Sequence, residues 1–117
     1  MAFRIEKDIG SFNPGSGAPE RGAIFMDLRE QKYVCTLAEL GNLTRAAERL
    51  YISQPALSIY ITNLEKNLGT PLFDRSGKKF TLTYAGEQYV KRAEKMLELE
   101  REFNEEIEKI SRETAGR

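Results

Sequence analysis

From residue 84 to about residue 112 the chain contains no proline and a single glycine, Gly86, near its start. With Thr83 as a cap, this run predicts one uninterrupted helix of about 29 residues, a rod roughly 43 Å long at ~1.5 Å per residue. The preceding residues 26–82 are too few to cover a rod of that length, so part of it must pack elsewhere. Along it Tyr89, Ala93, Met96, Phe103, Ile107 and Ile110 alternate at spacings of three and four, interrupted only at Glu100. That is the seam of a helix that pairs with another helix, and it predicts a dimerisation segment at 83–117.

The 57 residues ahead of the rod divide into short elements. Leu28, Val34, Leu37, Ala38 and Leu40 make a helical stripe over roughly 28 to 40, stopped by Gly41-Asn42. Leu43, Ala46, Ala47 and Leu50 make a second short helix, capped by Asn42 or Thr44, with two alanines where a crossing helix can approach closely. After a turn at Tyr51-Ile52, Ser53 offers its hydroxyl to the amide of Ala56, and Pro55 occupies the first turn, where its missing N–H costs nothing. A third helix starts there. Leu57, Ile61, Leu64 and Leu68 fall on one face, expected to be buried, with Gln54, Pro55, Ser58, Ile59 and Thr62 opposite; Gly69 ends the helix. Leu72-Phe73-Asp74-Arg75 and Phe80-Thr81-Leu82, joined through Ser76-Gly77-Lys78-Lys79, read as a small hairpin with a basic tip.

The fold class expected is therefore mainly α: a winged helix-turn-helix of three helices plus a short β-hairpin wing at 26–82, followed by a long dimerisation helix. In that architecture the second helix of the pair enters the major groove and the hairpin reaches the flanking backbone. Gln54 can pair bidentately with an adenine edge and Ser58 can donate or accept; Lys78 and Lys79 can neutralise phosphates or enter the minor groove. Arg75 can hold the base of the wing or a phosphate. The competing reading makes Gln54 a surface residue, and Lys78 and Lys79 an ordinary solvated turn.

Composition narrows the classes. Histidine and tryptophan are absent and Cys35 is the one cysteine. A Ser-His-Asp triad, a Cys-His dyad, a zinc site built from His and Cys, and an intramolecular disulfide are thereby excluded. Glu105 and Glu106 adjoin on a solvated helix and cannot face one substrate, so neither catalysis nor a cofactor or metal is expected. Cys35 reads as a small core residue rather than a redox switch. A lone thiol and an N-terminus without an apolar signal run suggest the cytoplasm, and no segment is apolar enough to span a membrane. Lysine plus arginine number 18, as do aspartate plus glutamate. Support for nucleic-acid binding must then be local: residues 26–82 carry eight basic and six acidic side chains, and residues 83–117 seven and nine. Residues 1–25, rich in Gly, Pro and Ser, read as a flexible leader or a segment left by expression design.

One family pattern runs through residues 26 to about 110. It comprises Met26-Asp27-Leu28-Arg29, Gly41-Asn42-Leu43-Thr44-Arg45-Ala46-Ala47-Glu48-Arg49-Leu50, Ile52-Ser53-Gln54-Pro55-Ala56-Leu57-Ser58, Leu64-Glu65, Leu68-Gly69, Pro71-Leu72-Phe73-Asp74-Arg75 and Leu82-Thr83 followed by Ala85-Gly86. In these residues the chain resembles the N-terminal part of a LysR-type transcriptional regulator. The resemblance implies a dimer that reads an interrupted inverted repeat in double-stranded DNA, often as two dimers (a tetramer of a full-length form) per operator. It also implies that Gln54, Pro55, Ala56 and Ser58 face bases, that Lys78 and Lys79 are wing contacts, and that Thr44 and Arg45 meet the backbone. The candidate DNA-contacting set is Thr44, Arg45, Ser53, Gln54, Pro55, Ala56, Ser58, Ile59, Thr62, Arg75, Lys78 and Lys79.

Three residues depart from the pattern. Ile59 stands where an arginine is common, replacing a polar contact by nothing or by apolar contact with a thymine methyl; Tyr60 takes a usually polar position; and Gln31 replaces a usual leucine. The chain ends where the pattern continues into an effector domain, so no inducer site is expected on these residues. A different class, an interaction module whose long helix titrates a full-length relative, would need the seam and not the recognition face.

Overall fold

The computed structural model describes residues 28–115; the leader expected at 1–25 lies outside the described residues. Helix α1 is Arg29–Leu40, α2 Leu43–Leu50 and α3 Gln54–Leu68. Strands β1, Phe73–Asp74, and β2, Thr81–Leu82, pair antiparallel with Phe73 opposite Leu82 and Asp74 opposite Thr81. Helix α4, Tyr84–Ala115, closes the chain. Its 32 residues span about 48 Å, three residues beyond the expected end.

Local chemistry sets most of the helix boundaries. Gly41 ends α1 in the left-handed region at φ 64°, its N–H reaching the Leu37 carbonyl at 2.8 Å. Asn42, not Thr44, caps α2: its Oδ1 accepts from the Arg45 amide at 2.8 Å. Ser53 caps α3 through the Ala56 amide at 3.1 Å, and Gly69 ends that helix at φ 76°. The Thr83 hydroxyl accepts from the Gly86 amide at 3.0 Å and donates to the Pro71 carbonyl at 2.8 Å, which starts α4 and ties it to the segment before β1.

The core gathers Val34 and Leu37 of α1, Ala46 and Ala47 of α2, Leu57, Ile61 and Leu64 of α3, and Leu72 and Phe73 at β1. The alanine pair is sealed from solvent, as close helix crossing requires. Leu68 departs from the expected buried stripe and is 46% exposed, because it is the final residue of α3 and projects past the core. Tyr60 leaves the recognition surface by packing edge-on against Tyr33 of α1, ring centroids 4.7 Å apart.

The seam on α4 is not one continuous surface. Ala93 is 1% exposed, and Tyr89 packs against the chain's own core, so these two residues join α4 to the winged domain. Met96, Phe103, Ile107 and Ile110 remain exposed, joined by Leu99, which the alternation did not include. The reason is geometric: a straight helix turns 3.6 residues per turn, so a 3-4 repeat drifts around it, and α4 also outruns the domain. Every residue from 101 to 115 is exposed.

Candidate nucleic-acid interface

The α2–α3 pair is joined by Tyr51, Ile52 and Ser53. Tyr51 adopts a left-handed conformation at φ 59° and bends the chain sharply; its amide returns to the Glu48 carbonyl at 3.1 Å and that of Ile52 to Ala47 at 3.0 Å. The first turn of α3 then stands free of the core, with Gln54, Pro55 and Ala56 exposed beside the capping Ser53. Ser58 and Thr62 follow along the helix, half-buried, and Ile59 is exposed.

Thr44 and Gln54 meet across the pair: the Thr44 hydroxyl donates to Gln54 Oε1 at 2.9 Å. This contact was not foreseen, since ten residues and a turn separate the partners. It occupies one lone pair of the amide oxygen and makes no use of the two hydrogens on Nε2. Arg45, next on α2, has its backbone amide taken by the Asn42 cap while its side chain is exposed.

The wing is anchored by a residue that the sequence reading placed in the family pattern without giving it a role. Glu65 on α3 accepts through Oε2 from the amides of Leu72 at 2.7 Å and Phe73 at 3.0 Å, and through Oε1 from Arg75 at 3.1 Å. Only spatial proximity reveals this, because a glutamate in a helix has no local mark of such a duty. Arg75 also lies over the Phe80 ring, 5.1 Å from its centroid, and Phe80 packs edge-on against Phe73. Arg75 thus holds the base of the wing, one of its two expected roles, and remains exposed there. The Phe80 amide reaches the Gly41 carbonyl at 3.0 Å, joining wing to the α1–α2 turn. In the loop, the Ser76 amide donates to Asp74 at 2.9 Å and holds that carboxyl below its usual range. Lys78 and Lys79 are exposed. The stem of Lys79 runs beside Gly41, just ahead of α2.

Behind this surface, Cys35 is partly buried between helices, and burial first, then the Glu94 carboxylate, pushes its thiol up to about 11. Such a thiol stays protonated and unreactive near neutrality. Burial likewise raises Tyr89 above the usual tyrosine range, with Glu30 adding to it; the Tyr89 hydroxyl is enclosed without a hydrogen bond of normal geometry. Among the described residues no group of three or more His, Cys, Asp or Glu side chains is arranged to hold a metal ion, and no helix is long and apolar enough to cross a membrane.

The model of the bacterial regulatory helix-turn-helix proteins of the lysR family matches residues 28–87, more than half of the chain. The chain belongs to the LysR family. The HTH-type transcriptional regulator BsdA of Bacillus subtilis is 40% identical to this LysR chain over 92 residues, 78% of the chain and 32% of the relative. A probable RuBisCO transcriptional regulator of Cyanidioschyzon merolae is 46% identical over 76 residues, 65% of the chain and 25% of the relative. The LysR chain thus spans under a third of the length of these curated relatives. Among solved structures, the BenM DNA-binding domain in complex with its catB site 1 DNA superposes with a TM-score of 0.69 at 32% identity, covering 73% of this chain and 94% of that one. The CbnR DNA-binding domain–DNA complex gives 0.65 at 34% identity, covering 73% and 98%.

Proposed function

We propose that this chain binds double-stranded DNA sequence-specifically, as the DNA-binding portion of a LysR-type transcriptional regulator. In this reading α3 enters the major groove by its first turn and the wing lies on the backbone or in the minor groove. The observation that carries it is the exposed first turn of α3 with Gln54 steered by Thr44. The two structural neighbours that are DNA complexes support it, as does the family of the chain.

Gln54 and Ser58 read base edges, with Pro55, Ala56, Ile59 and Thr62 lining the same surface; Ser53 and Arg45 meet phosphates, and Thr44, whose hydroxyl proton is given to Gln54, stands beside the backbone and orients that reader. Lys78 and Lys79 supply the sequence-independent attraction of the wing. The chain acts as a homodimer through the exposed stripe of α4, on an interrupted inverted repeat, in the cytoplasm and without catalysis.

Selection of genomic fragments on the immobilised chain, followed by fluorescence anisotropy on the enriched duplex, tests this. Enrichment of a sequence with two related half-sites is expected, bound at least ~1,000-fold more tightly than random duplex. Equal affinity for the enriched and random duplexes would reduce the chain to a non-specific binder.

A further inference from the structure

On the exposed side of α3 one large apolar side chain, Ile59, stands among the polar residues of the candidate interface. That side chain stands two residues from Leu57 and two from Ile61, about 200° around the helix from each, hence on the side opposite the core. It is 61% exposed. Exposed Pro55, one turn earlier, lies on the same side, so the two make a short apolar ridge beside Gln54, Ser58 and Thr62. Ile59 belongs neither to the core cluster nor to the partly buried side chains packed against it. Nor does isoleucine favour α3 intrinsically, because β-branching lowers helix propensity. Its branching does confer stiffness: one side-chain rotamer strongly dominates in a helix, so little freedom is lost when a surface closes on it.

If α3 lies in a major groove, the partner of such a ridge is restricted by chemistry. Base edges there present acceptors, amino donors and one apolar group, the C5-methyl of thymine. We propose that Ile59 is a specificity residue that selects thymine by burying this methyl, at one position in each half-site. The inference rests on the DNA-binding reading above and sharpens it. Selection comes from C5: the methyl gains a dry contact with a pre-set side chain, whereas a cytosine at the same position carries only hydrogen there and leaves Ile59 facing a gap.

The experiment uses the full chain and a duplex taken from the most strongly enriched genomic fragment, with each thymine replaced singly by deoxyuridine, which differs from it only by that methyl. In each half-site one replacement is expected to weaken binding about fourfold, and the two together about fifteenfold. Ile59→Ala should show the same loss on the unmodified duplex and then be indifferent to replacement at those two positions, while still responding elsewhere as the parent does. The variant removes an exposed side chain, and an unchanged circular dichroism melt verifies that it folds. Full affinity in Ile59→Ala, or an equal loss whether thymine or uracil stands at every position, would overturn the proposal while leaving sequence-specific binding intact. A chain that prefers no duplex overturns the DNA-binding reading itself, and this inference with it.

Discussion

With one lone pair of its amide oxygen engaged by Thr44 at 2.9 Å, the Gln54 side chain is already oriented, and in the proposed complex little further ordering of it would be needed. Gln54→Ala is expected to cost ~1 to 3 kcal/mol on the selected duplex and much less on random DNA. Anisotropy titrations on both duplexes check this, and matched losses would deny Gln54 any part in specificity. Cys35 makes a prediction of another kind. Its thiol, lifted to about 11 in the fold against an ordinary value of 9.0, is protonated at neutral pH, so alkylation by iodoacetamide at pH 8 should be far slower in the native chain than in urea. The raised value also fixes a sign. Below pH 9 folded and unfolded thiols are both protonated and the site does not affect stability; between pH 9 and 11 the unfolded thiol ionises first, so stability falls as pH rises. Urea titrations at pH 8 and pH 10.5 should show this decline reduced in Cys35→Ala.

Two elements depend on close approaches rather than on propensity. In the first turn of α4, a Cβ on Gly86 would run into the Leu72 carbonyl oxygen and crowd Leu82, so glycine lets the long helix seat directly on the hairpin. Gly86→Ala should improve helix propensity yet destabilise the chain by about 1 to 3 kcal/mol, through the overpacking it forces between α4 and the wing. A urea melt decides between the two: a gain in stability would mean that α4 can shift without penalty. The wing itself is pinned by Glu65 and by the Phe80–Gly41 hydrogen bond, which leaves Lys78 and Lys79 exposed on a fixed base. Replacing both with alanine should weaken binding to all sequences and lower the slope of log K against log salt by about 2 per half-site. A slope that does not change would make the pair an ordinary solvated turn.

Taken whole, the molecule is a small wedge of helices carrying a helix longer than itself. Met96, Leu99, Phe103, Ile107 and Ile110 stay exposed along α4, an apolar stripe that a single chain leaves in water. Burial at roughly 25 cal/mol per Å2 of apolar surface favours pairing with a second copy, without DNA. The polar sides of the helix are braced by Arg101, which bridges Glu98 and Glu105, and by Arg112 with Glu108, so the rod holds its shape beyond the domain. Ile107→Glu is expected to leave the winged domain folded, because the core lies in residues 34–93, while weakening dimerisation and flattening affinity for a two-half-site duplex. Sedimentation velocity at tens of micromolar provides the check: a monomeric parent chain would refute the assignment of α4 as a dimer helix.

The helices, the caps at Ser53 and Thr83, and the stops at Gly41 and Gly69 were legible from residue order, because capping and periodicity act over three or four neighbours, whereas the choice of Asn42 over Thr44 as the cap of α2 was left to the structure. So was the winged architecture, since turn chemistry and the alanine pair leave few ways to pack three short helices. The candidate surface was legible as a set of residues on one side of α3. How those residues are held was not. Thr44 with Gln54, Glu65 with the amides of Leu72 and Phe73, and Gly86 against Leu72 join residues seven to fourteen positions apart, and their partners are chosen by packing. The same holds for the division of the α4 stripe. Its spacing marks an apolar face, but whether Ala93 or Phe103 lies against the chain's own core depends on where the domain ends beneath the helix, a boundary that only three-dimensional packing draws.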